Sequence, residues 1–246
     1  MEATEDGVLG GRVRLRQPPD GYRAGLDAAL LAAACEADRG ERVLEPGCGV
    51  GAALLAAAVR NPGARFVGVE REDEALALAQ ANIELNGLAN RVGVLSGDVA
   101  EPFSELGLEP FDAAIANPPF FDDESALRGP HAKKRASWIA PEGLPVWAAF
   151  VVMAVREGGA ITVIHRADRL GDLLSSLSPR AGSFQIRPVH PFADAPAKRV
   201  IVRARKAGKA PLRLLPALVL HDRSGDKHTA GAEAILRGVA RLEWLR

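Results

Sequence analysis

Short runs rich in β-branched residues alternate with alanine- and leucine-rich segments of helical period from residue 42 onward. This alternation predicts a parallel sheet with helices on both faces. The predicted strands cover residues 42–47, 65–70, 91–97, 111–117, 160–166, 183–190 and 198–206. Only a short loop separates the last two strands, so we expect them to pair antiparallel. The expected fold class is α/β, with a seven-stranded sheet whose last strand is antiparallel.

Helical periodicity is clear in four segments, residues 24–40, 51–61, 73–87 and 144–159. The one long irregular stretch inside the predicted fold covers residues 120–137, directly after the fourth strand. Long irregular stretches in compact domains are often functional.

No linker or internal repeat divides the chain, so we expect one domain over residues 1–246. It is expected to consist of an N-terminal extension and helix, a catalytic core, and a C-terminal strand and helix, at residues 1–41, 42–206 and 207–246.

The composition is ordinary for a globular chain, with 48% hydrophobic and 25% charged residues. The 31 basic and 31 acidic residues cancel, so any nucleic-acid partner must bind a local patch. Cys35 and Cys48 are too few for a disulfide framework and lack metal-ligand spacing. The N-terminus lacks the apolar core of a secretory signal, and residues 144–155 are too short to span a bilayer. We therefore expect a cytoplasmic protein without a metal, a membrane anchor or an obligatory protein partner.

Three glycines, Gly47, Gly49 and Gly51, separate the first predicted strand from an alanine-rich helix. Glycine allows a tight turn and close approach of the backbone to a ligand, and a helix N-terminus offers unpaired N–H groups. The pattern favours a nucleotide-like cofactor. Because Gly47, Gly49 and Ala52 also match the dinucleotide pattern, a nicotinamide cofactor and a purely structural turn stay open at this point.

Acidic residues stand near the ends of the first three predicted strands, namely Glu45, Glu70 and Asp98. Glu70 follows the glycines by about 20 residues, a spacing at which a carboxylate accepts hydrogen bonds from ribose hydroxyls. Asp98 is placed to accept a hydrogen bond from an adenine amino group. Each acid alone also fits a helix cap or a solvated strand end. Together the acids predict three strand ends that converge on one adenosine.

The fourth predicted strand ends in Asn117, Pro118, Pro119 and Phe120. Two consecutive prolines remove two backbone donors and fix two φ angles, so the strand stops there and its end is held stiffly. Taken alone, these residues also fit a turn in which Asn117 caps the strand and Phe120 enters the core.

The strand pattern, the glycine loop and the acids together resemble the class I S-adenosylmethionine-dependent methyltransferases. These enzymes have a Rossmann-like fold with seven strands, the last one antiparallel, and the likeness covers residues 42–206. It implies that Glu45 and the three glycines lie near the methionine part of the cofactor. It also implies that Glu70 holds the ribose diol and that Asp98 faces the adenine.

In that family, the sequence Asn-Pro-Pro-Tyr/Phe after the fourth strand resembles the signature of enzymes that methylate a planar nitrogen. The acceptor is the exocyclic amine of adenine or the side-chain amide of glutamine. The resemblance implies that the Asn117 oxygen and the Pro118 carbonyl grip the hydrogens of the amine and favour the charge that builds on nitrogen. The Pro118–Pro119 pair holds that carbonyl near the cofactor, and Phe120 stacks on the base.

The flanking segments favour adenine over glutamine. Only about 40 residues precede the first strand, too few for the helical recognition domain that protein glutamine methyltransferases carry. Within them, residues 20–35 resemble a segment of the bacterial methyltransferases that modify adenine next to the anticodon of a valine tRNA. This implies that Arg23 and Asp27 lie near the cofactor, although a surface arginine and a first-turn helix acid fit equally well. The tail at residues 218–238 resembles the C-terminal strand, loop and helix of the same family.

Basic residues in the segment after the NPPF sequence fit an RNA partner, because cations beside an active site bind phosphates. They are Arg128, His131, Lys133, Lys134 and Arg135. A second basic run without any acid covers residues 198–213. Such runs are also common on ordinary solvated surfaces.

The sequence therefore predicts methyl transfer from S-adenosylmethionine to the exocyclic amino group of adenine in RNA, with tRNA as the expected substrate. The alternative acceptor is a protein glutamine or another small planar amine. A nicotinamide-dependent oxidoreductase and a catalytically inactive RNA-binding protein are the remaining alternatives.

Overall fold

The computed structural model of the chain describes residues 3–19, 25–119, 143–223 and 227–245. Within these ranges the strands are β1 Thr4–Val8, β2 Val13–Gln17, β3 Arg42–Pro46, β4 Arg65–Glu70, β5 Val92–Ser96, β6 Phe111–Ala116, β7 Val155–Arg166, β8 Ala181–His190, β9 Arg199–Lys206, β10 Arg213–Leu214 and β11 Leu218–Val219. The α-helices are α1 Leu26–Ala34, α2 Ala52–Arg60, α3 Asp73–Leu85, α4 Gly143–Ala154, α5 Leu170–Leu177 and α6 Ala230–Leu236.

The central sheet has the order β5-β4-β3-β6-β7-β9-β8. The strands from β5 to β7 are parallel, and β9 lies between β7 and β8 and pairs antiparallel with both. All seven predicted strands form, and the expected antiparallel last pair is confirmed. The described residues add the two-residue strands β10 and β11, which pair parallel with the outer edge of β8.

The sheet separates two hydrophobic cores because successive side chains of each strand point to opposite faces. Val43 and Ile115 belong to the core that α1 and α2 cover, whereas their neighbours Leu44 and Ala114 belong to the core that α4 and α5 cover. Continuous burial on both faces is typical of parallel strands in α/β proteins. The predicted α/β class with helices on both faces is therefore confirmed.

The helix predicted at residues 144–159 ends earlier, at Ala154. Val155 instead begins β7, where it is fully buried and pairs with Phe111. The register then shifts before Ala160, and the glycines at 158 and 159 allow this bulge. The sequence does not distinguish a glycine that ends a helix from one that bends a strand, because both interrupt an apolar run.

The helix predicted at residues 24–40 is also shorter, because Cys35 leaves the helical conformation with φ −75° and ψ 117°. The side-chain amide of Asn61, at the end of α2, donates to the Cys35 carbonyl at 3.3 Å. A tertiary contact therefore takes up a carbonyl that a continuing helix would use.

The N-terminal hairpin of β1 and β2 is an element that the sequence pattern did not predict. Two asparagines, one in α3 and one directly after its end, hold the second strand by hydrogen bonds that resemble those of a neighbouring strand. Asn82 accepts from the Arg16 N–H at 2.7 Å and donates to the Arg16 carbonyl at 3.0 Å. Asn86 makes the same pair of bonds to Arg14, at 2.9 and 2.7 Å. Asn82 also donates to the Val50 carbonyl at 2.9 Å, so it joins the hairpin to the glycine loop.

Replacing Asn82 by alanine should destabilise the fold more than replacing Asn86. Asn82 is fully buried and its loss leaves three backbone groups without their partner, so we expect a loss of about 2 to 3 kcal/mol. Asn86 lies nearer the solvent, so Asn86→Ala should cost about 1 kcal/mol. Urea unfolding with an unchanged m-value measures both. Equal losses of stability in the two variants would show that the burial of Asn82 does not make its hydrogen bonds to the hairpin more important than those of Asn86.

The C-terminal segment packs back onto the first two core helices. Trp244 is buried, and its Nε1–H donates to the carbonyl of Ala34 at 2.8 Å. The Arg60 guanidinium donates to the carbonyls of Ala240, at 2.8 Å, and Ile235. Burial lowers the pKa of Arg60 to about 10. These contacts connect the predicted tail region to the core region. That the whole chain forms one domain stays a prediction.

Candidate active site

The candidate site lies at one edge of the sheet, where the parallel strands β3, β4, β5 and β6 end. Glu45 is next to last in β3 and pairs with Gly68, two residues before Glu70 at the end of β4. Asp98 follows β5 by two residues, and Asn117 follows β6 directly. Carboxyl ends of parallel strands meet at the same edge, which is where α/β sheets bind ligands. The structure therefore brings these predicted site residues to one edge.

The glycine loop depends on backbone conformations that disfavour other residues. Gly47, Gly49 and Gly51 have φ values of +60°, +55° and +86°, in the left-handed region. Gly51 is also the N-cap of α2 and provides no side-chain cap. The loop is anchored to the neighbouring strand by the Cys48 N–H, which donates to the Val69 carbonyl at 3.0 Å.

The Trp147 ring of α4 lies directly against Gly47. A Cβ added to Gly47 would lie 2.3 Å from the Trp147 Cη2 atom, far inside van der Waals contact. Trp147 is 6% exposed, and its Nε1–H has no hydrogen-bond partner among the described residues. The sequence pattern indicated only an apolar helix here, since nothing local distinguishes a core tryptophan from one that borders a ligand loop.

Glu45 is a buried carboxyl group with an unsatisfied oxygen. It is 3% exposed, and its Oε2 atom makes no hydrogen bond to a described residue. Burial raises the pKa of Glu45 well above the ordinary value, and hydrogen bonding from the Leu54 backbone at the start of α2 partly opposes this. Buried polar atoms without partners are rare in folded proteins and need an explanation.

The Glu70 carboxylate is buried and held by backbone N–H groups. Its Oε2 accepts from Gly49 at 2.8 Å, and its Oε1 accepts from Arg71 and Glu72, both at 2.9 Å. Each carboxylate oxygen has two acceptor positions, so these three bonds leave one further position, on Oε2. The sequence predicts that Glu70 accepts hydrogen bonds from both ribose hydroxyls. The second of these requires rearrangement of the bonds that Glu70 accepts from Arg71 and Glu72.

Asp98 lies beside an arginine that the sequence analysis did not single out. Its Oδ1 accepts from the Ala100 N–H at 2.9 Å, and its Oδ2 lies 3.5 Å from the Arg71 guanidinium. This contact joins the ends of β4 and β5. The cap-like bond to Ala100 matches the structural role considered for Asp98, and the adenine contact stays a prediction.

Asn117 and the prolines end β6 as predicted. The Oδ1 atom of Asn117 is buried and has no hydrogen-bond partner among the described residues. Pro118 is buried and lines a small apolar cavity together with Trp147 and residues of α4 and α5. The packing of Pro118 supports the predicted rigidity of this strand end, because its ring is enclosed by side chains of two helices.

Asp27 forms an ion pair that the sequence did not predict. The Arg199 Nε lies 3.2 and 3.1 Å from the two oxygens of Asp27, whose side chain is 14% exposed. Arg199 begins β9, two strands away from β6. The predicted contact of Asp27 with the cofactor would therefore have to coexist with this ion pair.

Several predicted site residues lie outside the described residues. These are Arg23, Phe120, Arg128, His131, Lys133, Lys134 and Arg135. Their roles stay predictions.

The basic run at residues 198–213 does not form one surface. Because β9 is antiparallel, Lys198 and Arg199 lie at the edge of the candidate site, and Lys206 lies at the opposite edge. In between, Arg203 pairs with Glu36 at 2.7 Å. Only the beginning of the run is available to the site.

No helix in the described part of the chain is both long and apolar enough to cross a membrane. Among the same residues, no group of histidine, cysteine, aspartate and glutamate side chains is arranged to hold a metal ion.

The fold and the site define a class I methyltransferase, and comparison with known proteins agrees. A predicted O-methyltransferase, protein Atu636 from Agrobacterium tumefaciens, has the same fold, with a TM-score of 0.74 and 27% identity, over 88% of this chain and 98% of that one. The methyltransferase small domain family model matches residues 23–130, which include the glycine loop and the NPPF sequence.

Two curated relatives narrow the family. The tRNA1(Val) (adenine(37)-N6)-methyltransferase of Yersinia enterocolitica is 30% identical over 198 residues, which are 78% of this chain and 77% of the relative. The release factor glutamine methyltransferase of Gloeobacter violaceus is 41% identical over only 86 residues, 35% of this chain and 29% of that protein. The chain belongs to the methyltransferase family represented by the Yersinia protein. The predicted enzyme class and its cofactor, S-adenosylmethionine, are thereby confirmed.

The described residues fit this cofactor. The glycine loop has no room for a side chain at Gly47, and Glu45 Oε2 is an acceptor to which no described residue donates. S-adenosylmethionine is a cation with an ammonium group and two ribose hydroxyls, so it provides donors of the kind that Glu45 and Glu70 can accept. Which of the predicted residues touch the cofactor stays a proposal.

The contact between Trp147 and Gly47 predicts different costs for two glycine substitutions. Gly49→Ala places a Cβ in open space at positive φ, so it should cost about 1 kcal/mol of stability. Gly47→Ala has a similar φ but also meets the Trp147 ring, and overpacking should add about 2 kcal/mol. Denaturant unfolding measures both. In a Trp147→Leu background, Gly47→Ala should cost only about as much stability as Gly49→Ala costs in the wild type. Equal costs for Gly47→Ala and Gly49→Ala in the wild-type background would contradict the contact between Trp147 and Gly47.

The buried Glu45 predicts a specific pH dependence of stability. Since its pKa is raised in the folded state, its favourable contribution is complete below the unfolded value of 4.5 and is lost as the pH rises through the folded pKa. Glu45→Gln cannot ionise, so the variant should gain stability relative to the wild type as the pH rises above 4.5. Denaturant unfolding of both proteins over a pH series measures the difference between their free energies of unfolding. The contributions of the other carboxylates are the same in both proteins and therefore cancel in this difference. A constant difference would show that Glu45 titrates normally.

Proposed function

We propose that this enzyme transfers a methyl group from S-adenosylmethionine to the exocyclic amino group of an adenine in RNA, and that the RNA is a tRNA. The observation that carries the proposal is the Asn117 Oδ1 atom, a buried acceptor without a partner among the described residues, at the edge that also holds the glycine loop. An amide oxygen in this position needs an N–H donor, and an exocyclic amine provides two.

Asn117 and Pro118 supply the acceptors for the amine. The amine of adenine is a poor nucleophile because its lone pair is delocalised into the ring. Two acceptors that hold its hydrogens stabilise the positive charge that develops on nitrogen during transfer. The buried Pro118 ring fixes the direction of the adjoining carbonyl, which reduces the reorganisation that the transition state requires. The proton then leaves readily, so the site needs no strong general base.

The other half of the site binds the methyl donor. We assign the ribose to Glu70, the adenine to Asp98, and the methionine part to Glu45 and the glycines Gly47, Gly49 and Gly51. When bound, the cofactor supplies an electrophilic methyl group on a sulfonium. Glu45 and Glu70 are 3% and 8% exposed, so water screens their interactions with a bound cofactor only weakly.

The comparisons support adenine in RNA over glutamine in protein. Similarity to the Yersinia tRNA adenine methyltransferase extends over 78% of this chain at 30% identity. Two release factor glutamine methyltransferases match less of it, 35% at 41% identity and 64% at 25% identity. The structural relative from Agrobacterium is described as acting on oxygen, but the fold alone does not select the acceptor atom. The two free, buried cysteines fit a reducing compartment, and we propose the cytoplasm.

The acceptor is tested by incubating the protein with methyl-labelled S-adenosylmethionine and either unmodified bulk tRNA or a protein extract. We expect label in the RNA as N6-methyladenine and none in protein. Label in protein alone would replace the proposal by the glutamine alternative. Label in neither fraction, together with intact cofactor binding, would refute RNA methylation.

Asn117→Ala should reduce the transfer rate at least about 100-fold, because it removes an acceptor needed mainly in the transition state. Cofactor affinity, measured by calorimetry, should change less than about threefold, within the range of a modest lost contact. Asn117→Asp is the matched control, since it keeps an acceptor oxygen at nearly constant size. Equal losses of binding and of rate in Asn117→Ala would mean that the residue is structural.

A further inference from the structure

A cavity of about 310 Å³ lies at the same edge of the sheet as the candidate active site, beyond β7. It opens to the solvent and lies between the start of α1, the end of β8, the start of β9 and the segment after β11. Its lining residues are Gly25, Leu26, Asp27, Val189, Pro191, Lys198, Arg199 and Leu220. The site described above uses none of these residues except Asp27.

The position of the cavity places it on the acceptor side of the site. Glu45, Glu70 and Asp98, which we assign to the cofactor, lie at β3, β4 and β5, on one side of Asn117. The cavity lies at β9 and β8, two and three strands away on the other side. With neighbouring strands about 4.8 Å apart, this separation is roughly 10 to 14 Å. One RNA strand can reach both places.

The chemistry of the cavity fits a single nucleotide. The apolar part of the lining comes from the half-buried Leu26 and from the buried Val189 and Leu220, and Lys198 is an exposed cation. Arg199 is paired with Asp27, but Lys198 makes no ion pair with a described residue. A lysine beside a cavity with apolar and charged lining residues is suited to a phosphate next to a base. The volume lies at the low end of ligand pockets, about 300 to 1,000 Å³.

Rings from two segments continue the surface next to the cavity. Phe192 follows Pro191, and His221 follows Leu220; their ring centroids lie 5.6 Å apart. His228 stacks on His221 at 5.0 Å and 25°. The Thr229 N–H donates to the Leu220 carbonyl at 2.9 Å, which closes the base of this tail loop. Such rings are the side chains on which unstacked RNA bases stack.

We propose that this cavity binds the base and phosphate of one nucleotide that flanks the target adenine in the RNA substrate. The proposal rests on the function proposed above, since it extends the acceptor side of the same site. It gives the C-terminal tail a role in substrate recognition, because the tail supplies Leu220 and the adjoining rings.

The first test uses the wild-type enzyme and RNA stem-loops in which the nucleotide on either side of the methylated adenine is abasic. We expect one of the two abasic substrates to lose about tenfold in kcat/KM, of the order of one base-stacking contact. Leu220→Trp, which fills the cavity, should show lower kcat/KM on intact RNA and no further loss on that abasic RNA. Its cofactor affinity and unfolding midpoint report whether the variant is folded.

The second test uses Lys198→Ala, with Lys209→Ala as the matched control. Lys209 is exposed and follows β9 at the opposite edge of the sheet, where no contact is proposed. Lys198→Ala should raise KM for RNA and reduce the salt dependence of binding by about one counterion, whereas Lys209→Ala should change neither.

Unchanged kinetics on both abasic substrates, or equal behaviour of the two lysine variants, would overturn the cavity proposal while wild-type RNA methylation persists. Failure of the wild-type enzyme to methylate any RNA would instead overturn the proposed function. The two failures are therefore distinguishable.

Discussion

The close contact between the Trp147 ring and the backbone of Gly47 connects the two halves of the candidate site. No side chain fits at Gly47 because the ring already occupies the place of its Cβ. The same ring lines a cavity with Pro118, at the end of the strand that carries Asn117. The loop assigned to the cofactor and the residues assigned to the acceptor therefore pack against one side chain. Protein interiors are close-packed, so a shift of either group must displace the other.

Three buried polar atoms without a hydrogen-bond partner among the described residues lie where the chemistry is proposed. Glu45 Oε2, Asn117 Oδ1 and Trp147 Nε1 are all buried without a partner among the described residues. Each of these atoms costs free energy in the folded protein, so folding stability does not explain why they are left without partners. Local violations of the rules of folding are expected at functional sites, where a ligand supplies the missing partners.

The antiparallel strand β9 determines which basic residues can serve the site. A run of basic residues in the sequence suggests one binding surface, but the two ends of a strand lie at opposite edges of the sheet. Lys198 and Arg199 begin β9 at the edge with Asn117, and Lys206 ends it at the other edge. The edge is thereby divided between a side rich in acids, which we assign to the cofactor, and a side with cations and rings, which we assign to the acceptor.

The sequence by itself determined the seven main strands, their order along the chain, the glycine loop and the end of β6. These features depend on local chemistry, namely hydrophobic periodicity, φ restrictions of glycine and proline, and residues directly adjacent in the chain. Tertiary structure alone decided the clamp of Asn82 on β2, the start of β7 at Val155, the ring of Trp147 against Gly47 and the pair of Asp27 with Arg199. The partners in that pair are 172 positions apart. Such contacts depend on which elements pack together, and no local pattern encodes that choice.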